Sequence, residues 1–340
     1  MLQLYHMKSY FIKHVGGNPA IAKLRPYSGL IISSIFFLVL IIVAAFHGSE
    51  FKKLLLLLQN ANIGWMVIAI LLQIPTYVFT GAVWHLAVRT ADYHLTLKSL
   101  SELAVEQLTV NQMIPTGGVA GNVIVVKAMK RLGLPTPIAM EVFFIETLSN
   151  YISLSVVTFL SVVILWWYHN ITPIIVSLIS IFFVVEVVIV CLIWAAFNHQ
   201  RLYLPTWIKK RTLIARMLSA MENVSGKRVF SIELLIQAGL LRIGVFFLDA
   251  LTIFAIMRSL GIESSLIISF VALVIATVAG TITLLPGGVG GFEAGSIGIL
   301  NLLGIPLEAA IATIIIFRVL SLWIPLIPGT ILAKKDLNIL

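Results

Sequence analysis

Residues 284–295 read LLPGGVGGFEAG, and the fold turns on how this stretch is read. Four closely spaced glycines (Gly287, Gly288, Gly290 and Gly291), Pro286 and the carboxylate Glu293 interrupt an otherwise lipid-soluble run. Glycine and proline are the poorest helix formers. Yet hydrophobic residues make up 60% of the 340 and charged residues 11%, against about 25% charged in a soluble domain. Several runs reach the roughly 20 apolar residues that cross a bilayer. Residues 28–46 carry no charge, and 63–88 hold only His85 as a group that titrates near neutral pH. The chain is therefore an all-α polytopic membrane protein. Inside hydrocarbon, a broken backbone survives only where protein or water satisfies the freed amides and carbonyls, so LLPGGVGGFEAG reads as a turn between two half-length helices.

Working outward, the basic residues set the orientation. The net charge of +9 sits mostly in short segments between apolar runs, which suits anionic head groups and argues against nucleic acid. Residues 1–27 carry four basic residues and no acid, and read as a cytoplasmic lead-in to a first span at 28–46. A segment with FKKLLLLLQN, within 47–62, suits an interfacial helix. Spans follow at 63–88, 137–168, 171–197, 230–257 and 307–333. Segment 198–229, with seven Lys/Arg against one Glu, is the strongest cytoplasmic marker. Two interrupted pairs, 97–113 with 119–130 and 264–285 with 287–303, read as re-entrant helical hairpins. This gives about six full spans plus two hairpins, both termini cytoplasmic, in the cell membrane. The single cysteine, Cys191, excludes an intrachain disulfide framework.

The interrupted pairs resemble each other. Pro115 is followed by Gly133 and Pro135 at the spacings that separate Pro286 from Gly304 and Pro306. IPTGGVAG matches LPGGVGG once Thr116 is an insertion, and LSNYISL (148–154) matches LSLWIPL (320–326). One full span between the copies makes them face opposite ways, the signature of an inverted-topology repeat. The single membrane domain 1–340 then divides into a lead-in (1–62), repeat 1 (63–168), a connecting span with its basic loop (169–229) and repeat 2 (230–340).

PGGVGGFE, followed after a Gly-x-Pro by an apolar helix bearing Arg318, resembles the lysylphosphatidylglycerol synthase transmembrane-domain family over residues 30–333. The resemblance implies a flippase-like domain that handles lipid. In the first repeat, members often show Gly-Glu followed by Arg, where this chain has Gly121, Asn122 and a later Lys127. The frequent Glu-Arg pair of the next helix stands here as Glu146–Thr147. The family's aminoacyl-transfer domain is absent, so lysyl-lipid synthesis is not expected of this chain alone.

Candidate site residues follow from charge and backbone. A half-helix starting at a glycine turn offers free N–H groups and a positive dipole end, a ready phosphate site. Pro286 and the four glycines supply one such nest; Pro115, Gly117, Gly118 and Asn122 supply the other. Ionisable groups within spans are functional candidates. Arg318 lies mid-span, and a pair with Glu293 or with its repeat counterpart Glu146 would neutralise it, or it would take a lipid phosphate. Arg242 and Asp249, seven apart, share a helix face and suit a gate or a structural network. Glu102 and Glu106 make a polar side on the first hairpin helix. Glu186 is isolated, and no His or Cys shows metal spacing.

The resemblance implies a lipid substrate, and with the inverted repeat and buried charge it leads to a lipid transporter moving a phospholipid or polyprenyl-phosphate-linked lipid between leaflets, with no enzyme activity and no cofactor expected. Competing readings are an ion or small-solute transporter on the same scaffold, and a membrane-embedded partner of a separate transferase docked at 198–229. A lateral opening to lipid separates the first reading from the second.

Overall fold

The computed structural model describes residues 57, 59–113, 119–167, 172–197, 224–283 and 285–337. The expected first span 28–46, most of the interfacial segment, the IPTGG turn and most of the basic loop lie outside the described residues. Among the described residues there are helices and no strands. They are α1 (Ile63–Arg89), α2 (Leu97–Met113), α3 (Val119–Arg131), α4 (Thr136–Trp167), α5 (Pro173–Phe197), the short α6 (Gly226–Val229), α7 (Ile232–Ser259), α8 (Leu266–Thr283), α9 (Gly291–Leu302), α10 (Leu307–Arg318) and α11 (Ile324–Leu337). A π turn, Val319–Trp323, joins the last two, so 307–332 runs as one span.

Six described helices are long and apolar enough to cross a membrane: α1, α4, α5, α7, α8 and α10–α11. Five of these match expected spans. The sixth, α8, was expected as half of a hairpin, and at 18 residues it reaches about 27 Å. Helix α5 buries only 17% of its most apolar window. Val184, Val187, Leu192 and Trp194 cover that exposed face, which suits lipid tails and not water.

The loops between helices recur. After α1, the Asp92 N–H donates to Arg89 O and the Tyr93 N–H to Val88 O, with Asp92 at φ 62. After α7, the Gly261 and Ile262 N–H groups make the same bonds to Arg258 O and Met257 O, with Gly261 at φ 73. Each residue of the second turn lies 169 beyond its counterpart. Thr96 then caps α2 through the Ser99 N–H, and Ser265 caps α8 through the Ile268 N–H, again 169 apart. The turn after α3 bonds Gly133 to Lys130 O and Leu134 to Met129 O; the turn after α9 repeats it with Gly304 to Asn301 O and Ile305 to Leu300 O, offset 171. Both are Schellman-type endings, closed by Pro135 and Pro306.

Two clasps define the ends of the bundle. At one end, Arg228 Nη1 lies 2.5 Å from Glu141 Oε2 on α4, and its Nη2 donates to Ala87 O near the end of α1. Leu134 and Ala139 pack there with Val88 and Leu100, so α2 begins and α3 finishes at this end. At the other, the Asn62 N–H donates to Ser259 O at 2.7 Å and the Ser259 hydroxyl to Asn62 O. There the loop after α7 and the loop after α9 line one cavity of about 660 Å³ with Asn60, so α8 begins and α9 finishes at that end. The pairs α2–α3 and α8–α9 thus open toward opposite ends. Between them, Gln112 of α2 sits against Gly287, filling the space that a Cβ on that glycine would need.

Helix α11 packs on α2 through Gly329, whose missing Cβ makes room for the buried Thr109 hydroxyl. Overfilling such a contact costs about 1–3 kcal/mol, more than the helix-propensity gain of about 1 kcal/mol. Gly329→Ala is therefore expected to lower the melting temperature in detergent, and Thr109→Ala in the same chain to recover only part of it, because the residue-109 Cβ and the Val105 carbonyl would still stand 2.9 Å away. A Gly329→Ala protein that melts like the wild type contradicts this contact.

Candidate functional site

The break in LLPGGVGGFEAG is built from left-handed glycines. Gly287, Gly288 and Gly290 have φ of 61°, 65° and 87°, a region that other residues enter at a cost. The Gly288 N–H donates to Leu285 O at 2.9 Å and closes the short 3₁₀ turn Pro286–Gly288. Space forbids side chains as well: a Cβ on Gly288 would stand 2.8 Å from the Gly280 Cα, and one on Gly291 would stand 2.5 Å from Ala279 O. Both neighbours are backbone atoms of α8, so α9 starts pressed against the helix that precedes it.

The positive end of α9 has an occupant from its own chain. Glu293 Oε2 accepts the Gly290 N–H at 2.7 Å. Its other oxygen forms an ion pair with Arg318 Nε at 2.6 Å. Arg318 Nη2 donates to Gly287 O at 3.0 Å, and its guanidinium carbon lies 3.9 Å from the Phe292 ring centre. Phe292 in turn stacks on Phe317. Arg318 and Glu293 are 6% and 5% exposed. One arginine therefore holds the turn's carbonyl, the cap carboxylate and an aromatic face, joining α10 to the start of α9. In so apolar a setting a cation–π contact contributes about 2 kcal/mol.

Helices α2 and α3 contribute polar groups of a different kind. Asn122 Oδ1 accepts from Gln107 Nε2 at 2.7 Å, and Asn111 Oδ1 accepts the Gly121 N–H at 2.9 Å. Amides here do the tying that a carboxylate does in α9. Pro115, Gly117 and Gly118 lie outside the described residues. Glu106 and Gln112 are buried, each with a side-chain oxygen that has no hydrogen-bond partner among the described residues.

Of the two partners expected for Arg318, one is set aside. Glu146 does not meet Arg318; it pairs with Arg242, which also reaches Thr80 Oγ1 at 3.4 Å. Arg242 and Asp249, read as a gate or a structural network, go to different partners. Seven residues separate them by about 10.5 Å along α7, and the Glu146 carboxylate on α4 lies in direct contact. Asp249 instead accepts from Gln73 Nε2 on α1 at 3.0 Å, and the same nitrogen donates to Thr252 Oγ1. The isolated Glu186 accepts from Ser155 on α4. Among the described residues no group of three His, Cys, Asp or Glu is placed to hold a metal.

The glycine break, the capping glutamate and the arginine from the following span are the elements on which the resemblance rested. The family model for the lysylphosphatidylglycerol synthase TM region matches residues 29–329. The chain belongs to this family. It is a membrane protein of a lipid-handling family. A search among curated proteins finds no match.

This member of the family also carries a lateral cavity. About 490 Å³ opens between α1, α2 and the α10–α11 span, lined by Ile70, Ile74, Val78, Val105, Ile324 and Pro328 among others. Its polar lining comes from Gln73, Tyr77, Ser101 and Glu102. Ile70, Ile74, Val78 and Ile324 are also exposed on the outer surface and form its rim. The Tyr77 hydroxyl approaches Ser321 O, in the π turn, at 3.4 Å. Sequence reasoning passed over Gln73, Gln112 and Phe292. The signal for the first two was an amide standing in an apolar run, where an unpartnered polar group is costly whether or not it titrates.

Proposed function

We propose that this chain moves an anionic amphipathic lipid, a phospholipid or a polyprenyl-phosphate-linked lipid, between leaflets, and performs no covalent chemistry of its own. The observation that carries the reading is the lateral cavity. Its rim of exposed Ile70, Ile74, Val78 and Ile324 is suited to admitting acyl chains from the side, which a water-soluble ion does not need.

The charged turn supplies the head-group chemistry. A phosphate would replace the Glu293 carboxylate on Arg318 and on the N–H groups that begin α9. In either state the guanidinium keeps an anion, and the displaced Glu293 carboxylate, still tethered to α9, must take up a proton or reach water. The turns, caps and proline-led helix starts that recur at offsets of 169 and 171 support an inverted repeat. The opposed pairs α2–α3 and α8–α9, meeting at Gln112 and Gly287, support re-entrant hairpins. The basic segment 198–229 favours a cell-membrane orientation with both termini cytoplasmic. The same segment would bind anionic head groups or a separate transferase.

The test is leaflet translocation of fluorescent lipids in proteoliposomes. Wild type is expected to move anionic phospholipid, and Val105→Trp, which fills the cavity, to abolish the movement while the protein remains folded. Uptake of a small solute without lipid movement transfers the scaffold to the solute reading. An active Val105→Trp variant removes the cavity from the path.

A further inference from the structure

The contacts between α1 and α7 form a pair of mirrored crossings. With the offset of 169 that relates their terminal turns, Gln73 corresponds to Arg242 and Thr80 to Asp249. The Arg242–Thr80 contact and the Gln73–Asp249 contact are therefore the same crossing made twice, once from each helix. The two have diverged in charge. In one crossing the cation Arg242 has its counterion, Glu146. In the other, the carboxylate Asp249 meets a neutral amide and, among the described residues, no cation.

The surroundings make that difference consequential. Asp249 lies ten residues before the end of α7, about 15 Å from that end of the span. An uncompensated charge at such depth is costly, while a carboxylic acid carries none. The groups that face the site are few. Helix α1 brings Gln73 and Tyr77, and α4 brings Glu146, already paired. Helix α8 has no titratable residue, and on the α10–α11 span Arg318 is held by Glu293. A metal cation is poorly served, because Gln73 directs its N–H groups, not its oxygen, at both Asp249 and Thr252.

Gln73 is also part of the cavity wall, so Asp249 stands one side chain behind it. An ionised Asp249 accepts the Gln73 N–H in a charge-assisted bond; with the proton on the other oxygen, the same N–H meets a neutral carbonyl, a weaker acceptor. Loading the carboxyl thus loosens the amide that lines the cavity.

We propose that Asp249 is a proton-binding site on the α1–α7 crossing, coupled through Gln73 to the lateral cavity. The coupling rests on the lipid-transport reading above, whereas proton binding itself does not. The proton enters from one aqueous phase, resides on the free carboxylate oxygen and leaves to the other phase. A transmembrane proton gradient is the only driving force required.

Infrared difference spectroscopy on the full chain in phosphatidylcholine–phosphatidylglycerol vesicles reads the proton directly. Acidification is expected to raise a carboxylic-acid C=O band that Asp249→Asn lacks. Isotope-labelled aspartate in an Asp92→Asn/Asp336→Asn background assigns the band even if Asp249→Asn fails to fold, since Asp249 is then the one aspartate left. Gln73→Leu is expected to keep the band and displace its frequency. Translocation of fluorescent phosphatidylglycerol should depend on pH in wild type and lose that dependence in Asp249→Asn. No aspartate band in wild type overturns the proton site. A titrating band with pH-independent translocation, or one that Gln73→Leu leaves unmoved, overturns the coupling. If wild type moves no lipid at any pH, the transport reading falls, and the infrared result alone upholds or overturns the proton site.

Discussion

Arg318→Ala is expected to abolish lipid translocation and to destabilise the folded protein by about 3–5 kcal/mol, the cost of leaving one member of a buried ion pair alone. Three contacts go at once: Glu293, the Gly287 carbonyl and the Phe292 face. Glu293 keeps its bond from the Gly290 N–H, which holds the estimate at that range. Stability and transport separate in the double variant Arg318→Met/Glu293→Gln. Buried ion pairs replaced by neutral residues of similar volume are often near neutral in stability, and glutamine still offers an oxygen to the Gly290 N–H. The double variant should therefore melt close to wild type in detergent while remaining inactive in proteoliposomes. If it translocates lipid at the wild-type rate, the pair is purely structural; if Arg318→Ala melts like wild type, the pair is not what holds the turn.

Gly288→Ala is the second large effect. The residue has φ 65°, and its Cβ would stand 2.8 Å from the Gly280 Cα. A left-handed conformation costs a non-glycine residue about 1–2 kcal/mol, and overpacking adds about 1–3 kcal/mol. Here the obstructing atom is backbone, so it cannot swing aside. Gly298→Ala on α9 is the control, because a Cβ there meets nothing within 4 Å. It is expected to be neutral or to stabilise by up to about 1 kcal/mol through helix propensity. Thermal melting of the two proteins in one detergent checks both. Equal melting temperatures would remove the steric argument for the turn.

Much of this was legible in the chain, and the limits have physical causes. Apolar run length and basic clusters located five of the six candidate spans, because both report directly on the bilayer. The Glu293–Arg318 pair was one of two alternatives left open. Periodicity places a residue on a helix and not on a neighbouring helix, so nothing local could choose Glu293 over Glu146. For the same reason Arg242 and Asp249, correctly placed on one face, went to different partners: α4 competes for the arginine and α1 for the aspartate. The matching turns after α1 and α7 were hidden because Asp92 and Gly261 share a backbone conformation without sharing a side chain. Gln73 and Gln112 were overlooked because neither carries a charge.

The π turn after Arg318 has a mechanical consequence. The Ile324 N–H reaches back to Val319 O across five residues, so the helix stores one residue more than an α-helical turn holds. Releasing that residue would rotate everything beyond it by about 100° and leave everything before it in place. Arg318 lies before the stored residue, whereas Ile324, Pro325, Pro328 and Leu332, which face the cavity, lie after it. A single rod is thereby divided directly after the buried charge, and a swivel of the far half would have to break the Gly329–Thr109 contact with α2.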